Sequence, residues 1–97
     1  MSADEQPAIV PATVPKIAPM FRLQWEEAQD AHVLLYPEGM VKLGSSAGEI
    51  LKRCTGKLDV AGIVADLQAQ YPGADLEADV YRFLEVAYAQ GWLRSVG

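Results

Sequence analysis

Hydrophobic and polar residues alternate at the start of the domain, which predicts three short strands. Phe21, Leu23 and Trp25 alternate with polar neighbours, as in a strand with one buried face. The second run, residues 32–36, is apolar on both faces, so we expect it to lie at the centre of the sheet. A polar hairpin at residues 26–30 joins these two strands. A turn at Pro37-Glu38-Gly39 leads to a third strand at Met40-Val41-Lys42-Leu43.

Beyond residue 45 the apolar spacing becomes helical, which predicts three short helices. Ser46 and Glu49 have the spacing of a capping box that starts the first helix, and Gly56 is placed to end it. Asp59 and Asp75 are the expected caps of the second and third helices, and Gly91 ends the third. The inward residues of the third helix are predicted to be Leu76, Val80, Phe83 and Ala87. The fold class is therefore α+β, with a three-stranded antiparallel sheet followed by a three-helix bundle that is similar to a winged helix-turn-helix.

The first 20 residues differ from the rest of the chain. Prolines recur at every fourth position, at Pro7, Pro11, Pro15 and Pro19, and proline excludes a regular helix there. We expect residues 1–18 to form an extended arm and residues 19–97 to form the domain. Two interpretations of the arm stay open: a disordered tail, or a segment whose apolar side chains pack on a neighbouring subunit.

Charge and composition narrow the classes of function. The chain has 97 residues and a net charge of −5, enough for one domain and unfavourable for nucleic acid or an anionic membrane surface. No apolar run is long enough to span a bilayer, and the acidic N-terminus is unlike a signal peptide. The single cysteine fits a reducing compartment. We therefore expect a cytoplasmic protein without membrane or nucleic-acid partners.

Candidate chemistry is sparse. The one histidine, His32, lies in the predicted central strand, and Cys54 lies on a core-facing helix position, so both are interpreted as structural. The acidic residues at Glu26, Glu27 and Asp30 suit a solvated turn better than a metal site. No phosphate-binding glycine motif occurs. We expect no catalytic residues, no metal site and no cofactor.

A helix-turn-helix arrangement raises DNA binding as the alternative function. The recognition helix would run from Leu76 to Gln90, and it offers only Arg82 as a base against three acidic residues. Such a helix repels phosphate, so a DNA-binding regulator is the weaker hypothesis.

Two surface features favour a peptide-binding groove instead. The third strand lies at a sheet edge if the strands pair in chain order, and an open edge can accept an added strand. The third helix carries a second apolar stripe beside its inward face. The predicted peptide-binding residues are Met40, Val41, Lys42, Leu43, Tyr81, Leu84 and Tyr88. Replacement of Val41 by proline is expected to weaken peptide binding more than it weakens the fold.

The chain resembles the PqqD family of pyrroloquinoline quinone biosynthesis. The resemblance is carried by Leu34-Leu35-Tyr36-Pro37-Glu38-Gly39, by Lys42-Leu43 and by the terminal Gly91-Trp92-Leu93. It covers about residues 19–94 and does not extend to the proline-rich arm. One departure is Gly44, where the family pattern favours a polar cap residue.

The resemblance implies a non-catalytic peptide chaperone. Family members bind the precursor peptide PqqA as an added strand between the third strand and the third helix. They present it to the radical S-adenosylmethionine enzyme PqqE, to which catalysis and iron–sulfur clusters belong. The open edge strand and the apolar arm also raise the possibility of a homodimer.

Overall fold

The computed structural model describes residues 8–96, so the predicted arm's residues 1–7 lie outside the described part. Five strands and three α-helices follow one another along these residues. The strands are β1 (Pro15–Ile17), β2 (Arg22–Glu26), β3 (Ala31–Tyr36), β4 (Gly39–Lys42) and β5 (Leu93–Ser95). The helices are α1 (Ser45–Lys52), α2 (Val60–Gln70) and α3 (Glu77–Ala89), with a short 3-10 helix at Glu27–Gln29 between β2 and β3.

The predicted meander is confirmed, and its three strands are β2, β3 and β4. They form an antiparallel sheet in the order β2-β3-β4, with the apolar strand β3 at its centre. Leu23, Leu34 and Val41 lie opposite one another in register and belong to the side of the sheet that packs on the hydrophobic core. The alternation in the sequence therefore predicted both the strands and their buried face.

Helix α1 packs closely against β3. A Cβ atom built on Gly48 of α1 would lie 2.7 Å from Nδ1 of His32, which is closer than Cβ atoms approach other heavy atoms. The glycine is therefore what allows the helix to approach the sheet at this point. His32 also contacts Trp25 edge-on, with ring centroids 5.0 Å apart, so its surroundings are those of a packing residue.

The predicted cap of α2 is confirmed, whereas that of α1 is wrong. Asp59 accepts a hydrogen bond from the Gly62 N–H at 2.8 Å, as an N-cap should. Helix α1 instead begins after Gly44, which makes no side-chain cap, and Ser46 lies within the helix. Glu49 cannot act as a capping-box partner because its carboxylate bonds to Arg53, one turn later on the same helix.

The predicted cap of α3 at Asp75 is also wrong. The N-cap is Leu76, and the side chain of Gln68 in α2 fills the capping role. Its Oε1 accepts from the Leu76 N–H at 3.2 Å, while its Nε2 donates to the Ala74 carbonyl at 2.5 Å. A residue eight positions earlier in the chain thus accepts the backbone N–H at the start of α3, and no local sequence motif predicts this contact. At the other end, Gly91 follows α3 with a φ of 81°, as its predicted role requires.

The first helix also ends earlier than predicted. Helix α1 stops at Lys52, and Gly56 lies further along, in the loop before α2, with a φ of 84°. Arg53, which follows the helix, ties α1 to α2 through Glu49 at 2.9 Å and Asp66 at 2.5 Å. This guanidinium holds the two helices together at the point where the chain turns.

The described part of the proline-rich segment lies against its own chain. Strand β1 pairs antiparallel with β5, and the carbonyls of Pro11 and Thr13 accept the N–H groups of Ala61 and Val60 at the start of α2. Ile9 and Ile17 pack against the core. Residues 8–18 therefore dock on the domain, while the expected division at residue 18 stays a prediction.

Candidate functional site

The outer edge of β4 offers unpaired backbone groups. The Leu43 N–H donates to the His32 carbonyl at 3.0 Å, so these two residues form a hydrogen-bonded pair. Because such pairs alternate along an antiparallel ladder, Val41 is also hydrogen-bonded to its partner Leu34. The N–H and C=O groups of Met40 and Lys42 consequently point away from β3. No strand lies beyond β4 in the part of the chain that the structure describes.

This geometry shows which of the four residues predicted on the third strand are accessible to a partner. Met40 is 50% exposed and Lys42 is exposed, and both present backbone groups to the edge. Val41 packs against the core and its backbone faces β3. Leu43 follows the end of β4 and is buried. A partner can therefore reach the main chain of Met40 and Lys42, but not the side chain of Leu43.

The side of α3 that faces the start of α1 can be located from a pocket. Ser45, which begins α1 just after β4, lines the same pocket as Asp79 and Val80 of α3. Helical periodicity places Phe83 and Val86 on this side of the helix. The ring of Phe83 lies 6.5 Å from that of Trp92, and Val86 is 50% exposed.

The helix residues predicted from the sequence differ in how far they are buried. Leu84 is 0% exposed and belongs to the core, so its assignment to an accessible stripe is wrong: it occupies the inward face with Val80 and Ala87. Tyr81 is partly buried against the core. Tyr88 lies on the flank that faces β5, where its hydroxyl is 2.8 Å from the Ser95 hydroxyl. Partial burial raises the pKa of Tyr88.

Val86 was not predicted as an exposed apolar residue because the sequence offers three apolar stripes on one helix, whereas Phe83 packs partly against the core. Phe83 was assigned to the inward face, and Val86 stood outside every predicted stripe. Both the buried row and its two flanks contain large apolar residues. The deciding signal is tertiary, since only the positions of α1 and β5 show what each flank of the helix faces.

Nucleophilic and metal-ligating groups are scarce in the described part of the chain. Burial raises the pKa of the Cys54 thiol to about 12, and its Sγ donates to the Ile50 carbonyl at 3.3 Å. The thiol is therefore protonated and inert at neutral pH. Residues 8–96 contain no cluster of three or more metal-ligating side chains, and none of their helices is both long and apolar enough to cross a bilayer.

Comparison with known proteins places this geometry in a family. Residues 31–93 match the family model described as coenzyme PQQ synthesis protein D, PqqD. A PqqA binding protein of Pseudomonas aeruginosa strain UCBPP-PA14 is 56% identical over 82 residues, covering 84% of this chain and 89% of that protein. A PqqA binding protein of Methylococcus capsulatus is 40% identical over 89 residues, covering 92% of this chain and 96% of that one.

Two solved structures share the fold. The solution NMR structure of the PqqD part of Methylobacterium extorquens PqqCD is described as a functional, stand-alone recognition element for ribosomally synthesized and modified peptides. It matches with a TM-score of 0.74 and 31% identity over 90% of this chain and 95% of that one. The heterocyclase TruD matches with a TM-score of 0.67 and 27% identity over 87% of this chain and 12% of TruD. By family model, sequence and fold, this chain belongs to the PqqD family.

Proposed function

We propose that this protein is a peptide chaperone of pyrroloquinoline quinone biosynthesis that binds the precursor peptide PqqA as an added strand along β4. The observation that carries the proposal is the outer edge of β4, where the N–H and C=O groups of Met40 and Lys42 face no described strand. We infer that side chains of the added strand pack on the Phe83 and Val86 side of α3. The relatives named PqqA binding protein support PqqA as the peptide.

The backbone supplies the core of the affinity. Met40 and Lys42 together offer two N–H and two C=O groups, and each hydrogen bond contributes a net of about 1 kcal/mol. Side chains on one face of an added strand can pack against α3, at about 2 kcal/mol for each large apolar residue that is buried. After the cost of ordering the peptide, micromolar binding is expected, which corresponds to about −8 kcal/mol.

Presentation to the radical S-adenosylmethionine enzyme PqqE is the second part of the proposal. A peptide held at β4 leaves the opposite flank of α3 and the β1–β5 sheet uncovered, so the complex keeps a surface for the enzyme. The chain acts as an adaptor, and catalysis belongs to PqqE. A homodimer formed through β4 would use the same edge and would compete with PqqA.

Titration of the isotope-labelled chain with PqqA tests the binding mode. Saturable shifts are expected at the amides of Met40, Lys42, Phe83 and Val86, and PqqE added to the saturated complex should form a ternary complex. The strand β2 provides the competing edge, and by the same alternation its outward groups belong to Leu23 and Trp25. Shifts centred on those two residues, or no saturable shift, would contradict the proposal.

Duplex DNA serves as the comparison ligand. The exposed face of α3 carries Glu77, Asp79 and Glu85 with Arg82 as its one base, so we expect no shift with DNA even at low salt. A salt-dependent shift on α3 would instead support the regulator hypothesis.

A further inference from the structure

A pocket of about 290 Å³ lies where the start of α1, the end of α2 and the start of α3 meet. Its deep lining is aliphatic and comes from all three helices. The aliphatic lining residues that matter for the argument are Ile50, Leu67, Leu76 and Val80. Pockets for drug-sized ligands measure about 300–1,000 Å³, so this volume suits one large side chain.

The charged groups at the rim are already paired within the protein. Glu49 accepts from Arg53 at 2.9 Å, and this hydrogen bond lowers the pKa of Glu49 despite the opposing effect of burial. Asp79 accepts from Arg82 at 2.8 Å. The pocket therefore presents a neutral aliphatic interior rather than an unpaired charge, which excludes a preference for a cationic or anionic ligand.

Two residues that line the pocket follow β4 closely along the chain. They are Ser45 and Ser46, and only Leu43 and Gly44 separate them from the last residue of β4. A strand that pairs with Met40 and Lys42 and continues in the same direction advances about 3.3 Å per residue. Two or three further residues bring one of its side chains to the mouth of the pocket.

We propose that this pocket binds one large apolar side chain of the peptide strand held at β4. The occupant is a leucine, isoleucine, methionine or phenylalanine, because these side chains match the volume and the aliphatic lining. The inference rests on the proposed function and adds a specificity determinant to it: the backbone of β4 holds any extended chain, while the pocket selects its register. Burial of one such side chain corresponds to about 30-fold in affinity.

The test combines pocket-filling variants with alanine substitution of each large apolar residue of PqqA in turn. Ala74→Leu and Ser46→Leu fill the pocket from two different segments, so a folding failure of one leaves the other. Ala78→Leu, on the exposed outer face of α3, is the matched control. One PqqA position should lose about 30-fold when changed to alanine against the wild type and the control, but less than about 3-fold against the filled variants.

Methyl spectra of Leu76 and Val80 provide the second measurement. Both signals should shift when wild-type chain binds PqqA, and neither should shift with the peptide alanine-substituted at the selected position. The inference is overturned if β4 amides shift while these methyls do not, or if filled variants bind unmodified PqqA as tightly as Ala78→Leu. Absence of any PqqA binding by the wild type would instead remove the proposed function itself.

Discussion

Strands β1 and β4 are both short and each lies at the edge of its sheet. Strand β1 is nevertheless hydrogen-bonded on both sides, whereas β4 is hydrogen-bonded on one side only. Strand β1 pairs with β5, and on its other side Lys16 bridges to Thr55 while the Pro15 carbonyl accepts the Gly56 N–H at 3.1 Å. Strand β4 has β3 on one side and no described strand on the other. Both edges of β1 are therefore paired within the chain, whereas the outer edge of β4 is unpaired in the described part of the chain.

The difference matters because an extended proline-rich segment of the same chain could itself pair with an open sheet edge. Its described residues are engaged by β5, by the loop after α1 and by the start of α2. Several of their backbone groups are therefore already hydrogen-bonded, whereas the outer edge of β4, like that of β2, faces no described strand. Variants at paired or buried positions and at unpaired or exposed positions test this contrast.

The largest effect is expected on α3, where a buried and an exposed position lie two residues apart. Leu84→Ala should cost roughly 2–5 kcal/mol of unfolding free energy, since it opens a cavity in the core. Val86→Ser should leave the unfolding free energy nearly unchanged but weaken PqqA binding. Chemical denaturation and calorimetric titration of both variants make the measurement. Equal binding by Val86→Ser and wild type would remove this side of α3 from the groove.

Proline substitution distinguishes the backbone N–H groups of β4 that donate to β3 from those that face the outer edge. Val41→Pro should cost about 3 kcal/mol, because it removes a donor to β3. Lys42→Pro should keep the fold, since its N–H faces the open edge, and should reduce PqqA affinity at least tenfold. This reverses the expectation from the sequence, in which Val41 was the donor to the peptide. Thermal melts and titrations distinguish the two, and loss of fold in Lys42→Pro alone would show that the register is wrong.

The packing of α1 against α2 depends on Arg53, and replacing this residue should have a smaller effect on stability. Arg53→Met should cost about 2 kcal/mol, since it removes the guanidinium that donates to Glu49 and Asp66 and leaves Glu49 with only the longer contact from Lys52. Because the pKa of Glu49 is lowered in the folded state, its contribution is present above the unfolded value of about 4.3 and is lost as pH falls through the lower folded value.

Thermal melts between pH 7 and pH 3 check that sign. The wild type should lose more stability on acidification than Arg53→Met, so the two curves should converge at low pH. PqqA binding at pH 7 should be unchanged in the variant. Parallel curves would show that the ion pair contributes nothing to folding.

The smallest effect concerns the closed β1–β5 sheet. Lys16 and Arg94 lie directly opposite each other, and like charges in that position are unfavourable. Arg94→Glu should therefore raise the unfolding free energy by about 0.2–1 kcal/mol, with a smaller gain for the control Arg94→Gln. Salt should reduce the difference between the variants. A destabilised Arg94→Glu would mean that Arg94 has a favourable partner.

What the sequence could predict follows from how local each signal is. The alternation through Leu23 and Trp25, and the cap at Asp59, act within a few residues, and both were predicted correctly. Strands β1 and β5 are three residues each and pair across almost the whole chain, so no periodicity reveals them. The start of α3 depends on Gln68 from another helix, which a local cap motif does not encode.

The candidate site likewise has features that local sequence could predict and features that required the tertiary structure. The edge strand was predictable from chain order and apolar pattern, and its position at the margin of the sheet is confirmed. The direction of each backbone group required the register of Leu43 against His32. The relevant flank of α3 required the position of its neighbours, because Phe83, Leu84 and Tyr88 are equally apolar in sequence but face three different surroundings.

Amide hydrogen exchange within β4 tests the central claim most directly. In the free chain the amides of Met40 and Lys42 should exchange rapidly and that of Val41 slowly, because only Val41 donates to β3. With saturating PqqA, Met40 and Lys42 should become protected at least tenfold while Val41 stays as it was. Unchanged exchange at Met40 and Lys42 in a PqqA-saturated sample would contradict strand addition at this edge.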